Sequence, residues 1–306
     1  MKLKNFSGVG PSKVFLPPGP FLTLLDFLEQ RFPKGTRLGW ESRMLSGRVM
    51  DENGAILLPD YPYQAGKYVY YYREVIENFS IPFEEELIYE DENILVADKP
   101  HFLPVTPVGP YIQETLLVRL RNKTGIEQLS AVHRLDLETS GLVLFTKKAE
   151  HRNLYASLFR NKQVYKSYLA IAPFTDRYIW PHEYASRIES STQFMKMHEV
   201  EGPMNSTTTI CMLDRHEDQA LYELKPSTGK KHQLRVHMNS LGIPICHDQI
   251  YPVMQEYVPP EIRNYDNPLQ LLAKKLEFID PVTQLSKIFR SKRQLNWPNQ
   301  DLIDQS

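Results

Sequence analysis

Phe21, Leu25, Leu28 and Phe32 recur at i, i+4, i+7 and i+11, the spacing of one helical face. Pro33, Gly35 and Gly39 break that pattern, and Trp40 to Leu45 predicts a second short helix. Gly47-Arg48-Val49-Met50 reads as a strand, and Asp51-Glu52-Asn53-Gly54 as a hairpin turn. Tyr68 to Tyr72 is an aromatic strand. Ahead of these, Pro11, Pro17, Pro18 and Pro20 mark residues 1–20 as an irregular arm. Residues 21–75 are therefore expected to form a small α+β unit.

Residues 84–92 hold six acids and no base, which reads as a solvated connector at the edge of a new domain. The boundary is placed near residue 82, dividing the chain into 1–82 and 83–306. Ile94 to Ala97 and Leu142 to Phe145 are short apolar runs of the kind found in buried strands. Leu116, Leu117 and Leu120 share a helical face within Glu114 to Arg121, and Leu154, Tyr155, Leu158 and Phe159 mark another helix. Strands are expected at Val164 to Ile171, Thr207 to Leu213 and Gln219 to Leu224, the last two joined by the polar turn Asp214 to Asp218. Leu234, Met238 and Leu241 mark a helix, with Ser227 and Thr228 as candidate caps and Gly242 as its stop.

The 306 residues are 42% apolar and 24% charged, which fits a soluble globular chain and excludes collagen-like, coiled-coil and wholly disordered classes. No apolar run approaches the ~20 residues of a membrane span, and the N-terminus lacks the apolar core of a secretory signal. Two cysteines, Cys211 and Cys246, exclude a disulfide framework and an all-cysteine zinc cluster. A cytoplasmic protein is expected, with no membrane partner. Net charge is -1, so only local charge points to a polyanion. Residues 119–166 carry ten basic and four acidic side chains. Lys225, Lys230, Lys231 and Arg235 form a second basic segment, and Lys287, Arg290, Lys292 and Arg293 a third. If these converge, they make an electrostatic footprint; otherwise they are solvated surface.

Three segments carry candidate chemistry. His133-Arg134-Leu135-Asp136-Leu137-Glu138, ended by Thr139-Ser140-Gly141 as turn chemistry, packs four polar groups just before a buried strand. A charged turn with an Arg134–Asp136 pair is the plain alternative. Pro226 to His237 reads as a strand end, a basic turn and a helix opening, where free N–H groups favour anions. Arg235, one turn in, can reach a carboxylate and keep it ionised. Lys166 and Tyr168 lie on a strand, and a tyrosine ring lining a cleft can stack on a base.

In this order, H-R-L-D-x-x-T-S-G, K-x-Y-x-A and P-x-T-G-x-x-H-Q-L-R-x-H resemble the RluA-type family of RNA pseudouridine synthases. The flanks agree: Leu95 to Pro100 resembles its lysine-proline entry motif, Gly242 to Tyr251 its post-helix loop, and Leu269 to Pro281 its C-terminal helix-and-strand signature. The likeness spans about residues 85–285. More weakly, the N-terminal residues resemble an S4-type RNA-binding module, through a helical pair, Gly47-Arg48-Val49 and a Gly66-Lys67 turn into a strand.

The resemblance implies an α+β, or α/β, pseudouridine synthase fold: a central mixed, mainly antiparallel sheet crossed by a cleft, plus the small N-terminal module. It implies a cofactor-independent isomerase acting on structured RNA by base flipping, ribosomal RNA ahead of transfer RNA. A monomer with no metal is expected. Asp136 matches the family's catalytic aspartate, as nucleophile or as base. Tyr168 matches the active-site tyrosine, Arg235 the arginine that pairs with the aspartate, and Arg134 the side chain that fills the flipped uridine's place. His133, Lys166, Lys230, Lys231, His232 and Gln233 are expected to contact RNA. Two departures stand out: Lys230 replaces the usual arginine, and Cys246-His247 replaces the common glycine before Asp248. Two other classes compete: an RNA-binding protein of this fold without turnover, and a metallo-hydrolase using His232, His237, His247 and Asp248. The five-residue step from His232 to His237 is poor for two ligands on one helical face.

Overall fold

The computed structural model describes residue 5 and residues 7–33, 35–73, 79–193 and 195–299. The chain divides into two compact units, Met1–Glu77 with Val118–Glu127, and Asn78–Leu117 with Gln128–Ser306.

In the first unit the order is β1 (Ser12–Phe15), α1 (Leu24–Arg31), α2 (Arg37–Leu45), β2 (Val49–Met50) and β3 (Tyr68–Tyr71). Helix α1 starts where expected because Thr23 and Asp26 form a reciprocal capping box, at 3.2 and 3.0 Å. Thr36 caps α2 by accepting from the Gly39 N–H at 3.1 Å. The three strands pair antiparallel in the order β1-β3-β2. Leu24, Leu28, Trp40, Met44, Val49 and Val69 form the core beneath them. The proline-rich arm is not wholly irregular: between its prolines, Ser12 to Phe15 alternates outward and inward and adds the edge strand β1. Part of that arm, residues 1–4 and 6, lies outside the described residues.

The second unit continues with β4 (Glu86–Glu90), β5 (Ile94–Lys99), the start of α3 (Leu116–Thr124), β6 (Ser130–Ala131), β7 (Ser140–Thr146), α4 (Arg152–Arg160) and β8 (Val164–Pro173). Then come β9 (His182–Ser186), β10 (Ile188–Ser190), β11 (Met197–Glu199), β12 (Ser206–His216), β13 (Gln219–Pro226), α5 (Gln233–Ser240), β14 (Leu271–Ile279) and β15 (Ser286–Arg290). Ten of these strands form one sheet of order β4-β5-β7-β14-β8-β13-β12-β9, with β15 on β14 and β6 on β7. The β7–β14 pair is parallel and the rest of the sheet is antiparallel, as the mixed-sheet expectation required. Every residue of β5 and β7 is buried, which explains their unbroken apolar runs.

Three expectations change here. The acidic segment 84–92 is not a free connector, because Glu86 to Glu90 forms the edge strand β4 against β5. Leu271 to Ile279 is a single central strand, and no helix precedes it in the C-terminal signature. Ser140 and Gly141 belong to β7 rather than to a turn. A Cβ on Gly141 would lie 2.3 Å from the Ala273 carbonyl, so glycine allows β7 and β14 to approach at the foot of the Asp136 loop.

Candidate active site

Asp136 lies between β6 and β7 in a loop braced on several sides. The Val132 N–H donates to Leu144 O at 2.9 Å, and the Thr139 N–H to Asp136 O at 3.2 Å. His133 accepts the Leu144 N–H on Nε2 at 3.1 Å and stacks on Phe159, centroids 4.5 Å apart. Burial first, then the Lys166 charge, pulls the His133 pKa down to about 3, so its ring is neutral at physiological pH. Lys99 is fully buried and donates to the carbonyls of Leu103 (2.7 Å), Pro100 (3.0 Å) and Leu137 (3.1 Å). Burial lowers its pKa to about 7 against the raising influence of Asp136. These contacts fix the loop backbone while the Asp136 side chain stays 28% exposed.

Helix α5 supplies the opposing charge. Ser227 and Thr228 do not cap it; His232 does so in the left-handed region, at φ 55, without a side-chain cap. Gln233 ties the preceding basic turn to the helix: its Oε1 accepts from Thr228 Oγ1 (2.7 Å) and the Lys230 N–H (3.1 Å). Its Nε2 donates to Thr207 O and Thr208 Oγ1, both at 3.0 Å, so the amide is fully satisfied within the protein. His232 Nε2 lies 3.9 Å from Asp136, and its Nδ1 is 3.1 Å from the Tyr251 hydroxyl. Burial lowers the His232 pKa to about 4.

Arg235 is almost wholly buried and faces three carboxylates. It grips Asp248 bidentately at 2.6 and 2.7 Å, Glu138 at 3.0 Å, and stands 3.6 Å from Asp136. Burial lowers its pKa, but Asp248, Asp136 and Glu138 together hold it above the ordinary value. Glu138 is buried with it, and that burial raises its carboxyl despite the arginine. Asp248 Oδ1 also accepts from the N–H groups of Ile250 (2.8 Å) and Tyr251 (3.0 Å), which ties the post-helix loop to the arginine. His247 before it has φ 62, the left-handed region that favours glycine.

A cleft of about 770 Å³ brings these parts together. Asp136, Tyr168, Arg235, Arg134, His133, Lys166, Lys230, Lys231, His232 and Gln233 all line it. Val164, Lys166 and Tyr168 alternate along β8 and so share its cleft-facing side. Burial and the nearby Asp136 charge raise the Tyr168 phenol, keeping it protonated at neutral pH. Lys166 donates to Thr228 O at 2.9 Å, and Lys231 to Met195 O at 3.2 Å. Arg160 and Lys162 also line the cleft, from the end of α4 and the turn that follows it. Among the described residues, none of Arg134, Arg160, Lys162, Lys166, Lys230 and Lys231 makes an ion pair.

Sequence reasoning gave no separate role to Glu138 or Lys99, counted Arg160 and Lys162 only within a basic segment, and used Asp248 only as a possible ligand and a loop marker. Glu138 and Lys99 sit inside quoted motifs, and only their burial against Arg235 and the loop carbonyls shows what they do. The hydrolase alternative loses its ligands: His237 is buried with Nε2 3.1 Å from Ser186 and Ser206 and Nδ1 2.9 Å from Thr208. Among the described residues, no group of three His, Cys, Asp or Glu side chains is arranged to hold a metal ion. Nor is any described helix long and apolar enough to cross a membrane.

The family model for RNA pseudouridylate synthase matches residues 93–240, which include the Asp136 loop, Tyr168 and Arg235. A dual-specificity RNA pseudouridine synthase, RluA, of Vibrio cholerae is 33% identical over 64% of this chain and 78% of that protein. Ribosomal large subunit pseudouridine synthase D of Pseudomonas aeruginosa is 30% identical over 83% of each chain. The solved human RNA pseudouridylate synthase domain containing 4 superposes with a TM-score of 0.52 at 25% identity, covering 68% of this chain and 88% of its own. A loop carboxylate, a buried arginine and a cleft tyrosine on a mixed sheet, with relatives this extensive, place the chain in the RluA-type family of RNA pseudouridine synthases, isomerases of uridine in RNA.

Proposed function

We propose that Asp136 is the catalytic carboxylate of this isomerase. The observation that carries the reading is its setting: a partly exposed carboxylate at a cleft wall, with the buried Arg235 guanidinium 3.6 Å behind it. The reaction breaks the bond between C1′ and N1, joins C1′ to C5, and moves the C5 proton to solvent while N1 gains one. An ionised carboxylate serves either route, by attack at C1′ or by taking a sugar proton. Arg235 sets a positive charge behind it and Tyr168 offers a ring for stacking and a protonated hydroxyl near the base.

The target uridine must leave its stack to reach Asp136, at a cost of a few kcal/mol. Arg134 fills the vacancy, a role supported by its exposure and its position in the cleft lining. Lys166, Lys230 and Lys231 hold phosphates. His133, His232 and Gln233 act by positioning, because their ring and amide groups are engaged within the protein. The first unit serves as an S4-like RNA-binding module. Ribosomal RNA is the proposed substrate ahead of transfer RNA, supported by the ribosomal relative, and the enzyme works as a cytoplasmic monomer.

Asp136→Asn tests the central claim. Pseudouridine formation should fall to background while RNA affinity stays within about threefold, since a neutral amide preserves shape but not nucleophilicity. Normal turnover by this variant sinks the assignment. RNA binding retained in a wild-type protein that forms no pseudouridine on any cellular RNA favours the non-catalytic alternative. Mapping of total RNA with and without the gene then shows which uridine is lost.

A further inference from the structure

The three-stranded sheet of the first unit has one face on its core and one face open. Val14, Val49 and Val69 point inward. The register sets Lys13 opposite Tyr70 and Phe15 opposite Tyr68, and Met50 opposite Tyr70 on the other side. A bridge from Met50 to Ile56 extends that row. Side chains alternate along each strand, so Lys13, Phe15, Met50, Ile56, Tyr68 and Tyr70 share the outer face. Phe15 and Tyr68 are nearly half exposed, with ring centroids 5.2 Å apart, and the Lys13 ammonium lies 5.0 Å over the Tyr68 ring. None of the six is acidic.

We propose that this face is a stacking platform for unpaired bases of the RNA substrate. The proposal rests on the reading that the chain acts on RNA. Aromatic rings beside a cation on an open sheet suit bases and phosphates together. Charge favours the same occupant. The first unit has thirteen basic and nine acidic residues, whereas the remainder has twenty-three basic and twenty-eight acidic. A protein partner held by apolar contact alone would have no use for that imbalance.

The test uses the full-length protein and a short fluorescein-labelled oligouridylate. Stacking contributes about fivefold to a hundredfold in affinity per base, so Phe15→Ala with Tyr68→Ala should weaken binding at least about tenfold. With full-length RNA substrate, KM should rise while kcat at saturation is kept. Photo-crosslinking of wild-type protein to a 4-thiouridine oligonucleotide should mark peptides containing Phe15 or Tyr68, and this arm needs no variant to fold. Affinity unchanged within twofold, or crosslinks confined to the cleft, overturns the proposal. A dimer that the double variant dissolves without loss of RNA affinity overturns it in favour of self-association. Crosslinks at the platform in a protein that forms no pseudouridine support the platform and count against the enzymatic reading alone.

Discussion

Two basic clusters look alike in the sequence and differ in what faces them. Lys166, Lys230 and Lys231 line the cleft and make no ion pair among the described residues. Lys287 and Lys292 are met by β4 and its turn: Lys287 pairs with Asp91 at 3.2 Å and Lys292 with Glu86. Arg293 faces Asp98 at 3.4 Å and donates to Glu84 O at 2.6 Å. The acidic strand also holds Lys147 through Glu90, 2.6 Å away, and Lys148 through Glu92. A run of positive charge is thus open to an outside anion only where the fold leaves it without acids of its own.

The sharpest contrast is between two acids, Asp248 on the buried Arg235 behind the cleft and Glu86 on the exposed Lys292. Asp248 is fully buried on Arg235, and Asp248→Ala leaves a buried cation short of its best partner. Stability should fall by about 3 kcal/mol or more, and kcat by about a hundredfold through displacement of Arg235. Glu86→Gln, which unpairs an exposed lysine, should change neither by more than about 1 kcal/mol. If urea midpoints and turnover of the two variants agree, the distinction fails.

The buried histidines give the next largest effect. The pKa values of His101, His232 and His237 are lowered to about 4 and that of His133 to about 3, chiefly by burial. The ordinary value is about 6.5, so between pH 4 and 6.5 the unfolded chain binds protons that the folded chain refuses. The histidines' contribution to stability is therefore fully present above pH 6.5 and is lost as pH falls through that window. Urea midpoints measured from pH 7 to 4 should show the decline, and His133→Gln should flatten part of it. A level profile would mean these rings titrate normally.

Salt dependence separates the clusters more gently. Lys231→Ala should lower the slope of log affinity against log salt by about 0.7 to 0.9, one phosphate contact. Lys287→Ala should leave the slope unchanged. The smallest effect is expected for Lys292→Ala, within about 0.5 kcal/mol in stability, because both partners are solvated. A changed slope for Lys287→Ala would show that RNA reaches this cluster.

Much of the site was legible because its parts lie in short segments whose local order the chain carries itself. Asp136, Tyr168 and Arg235 stand in quoted motifs, and the structure sets them around one cleft. The roles of their neighbours were less legible. Gln233 reads as an RNA contact, but its four hydrogen bonds come from residues 207, 208, 228 and 230. Asp248 reads as loop, and its grip on Arg235 spans thirteen positions.

Periodicity, burial preference and local motif order alone determined the helices of both units and the buried strands β5 and β7, since each depends on residues close in the chain. Tertiary structure alone decided which charges remain unpaired, which acid anchors Arg235, and that the acidic segment is a strand. Those are matters of low-dielectric contact between distant segments, and an ion pair or a sheet register exists only once both partners are in place.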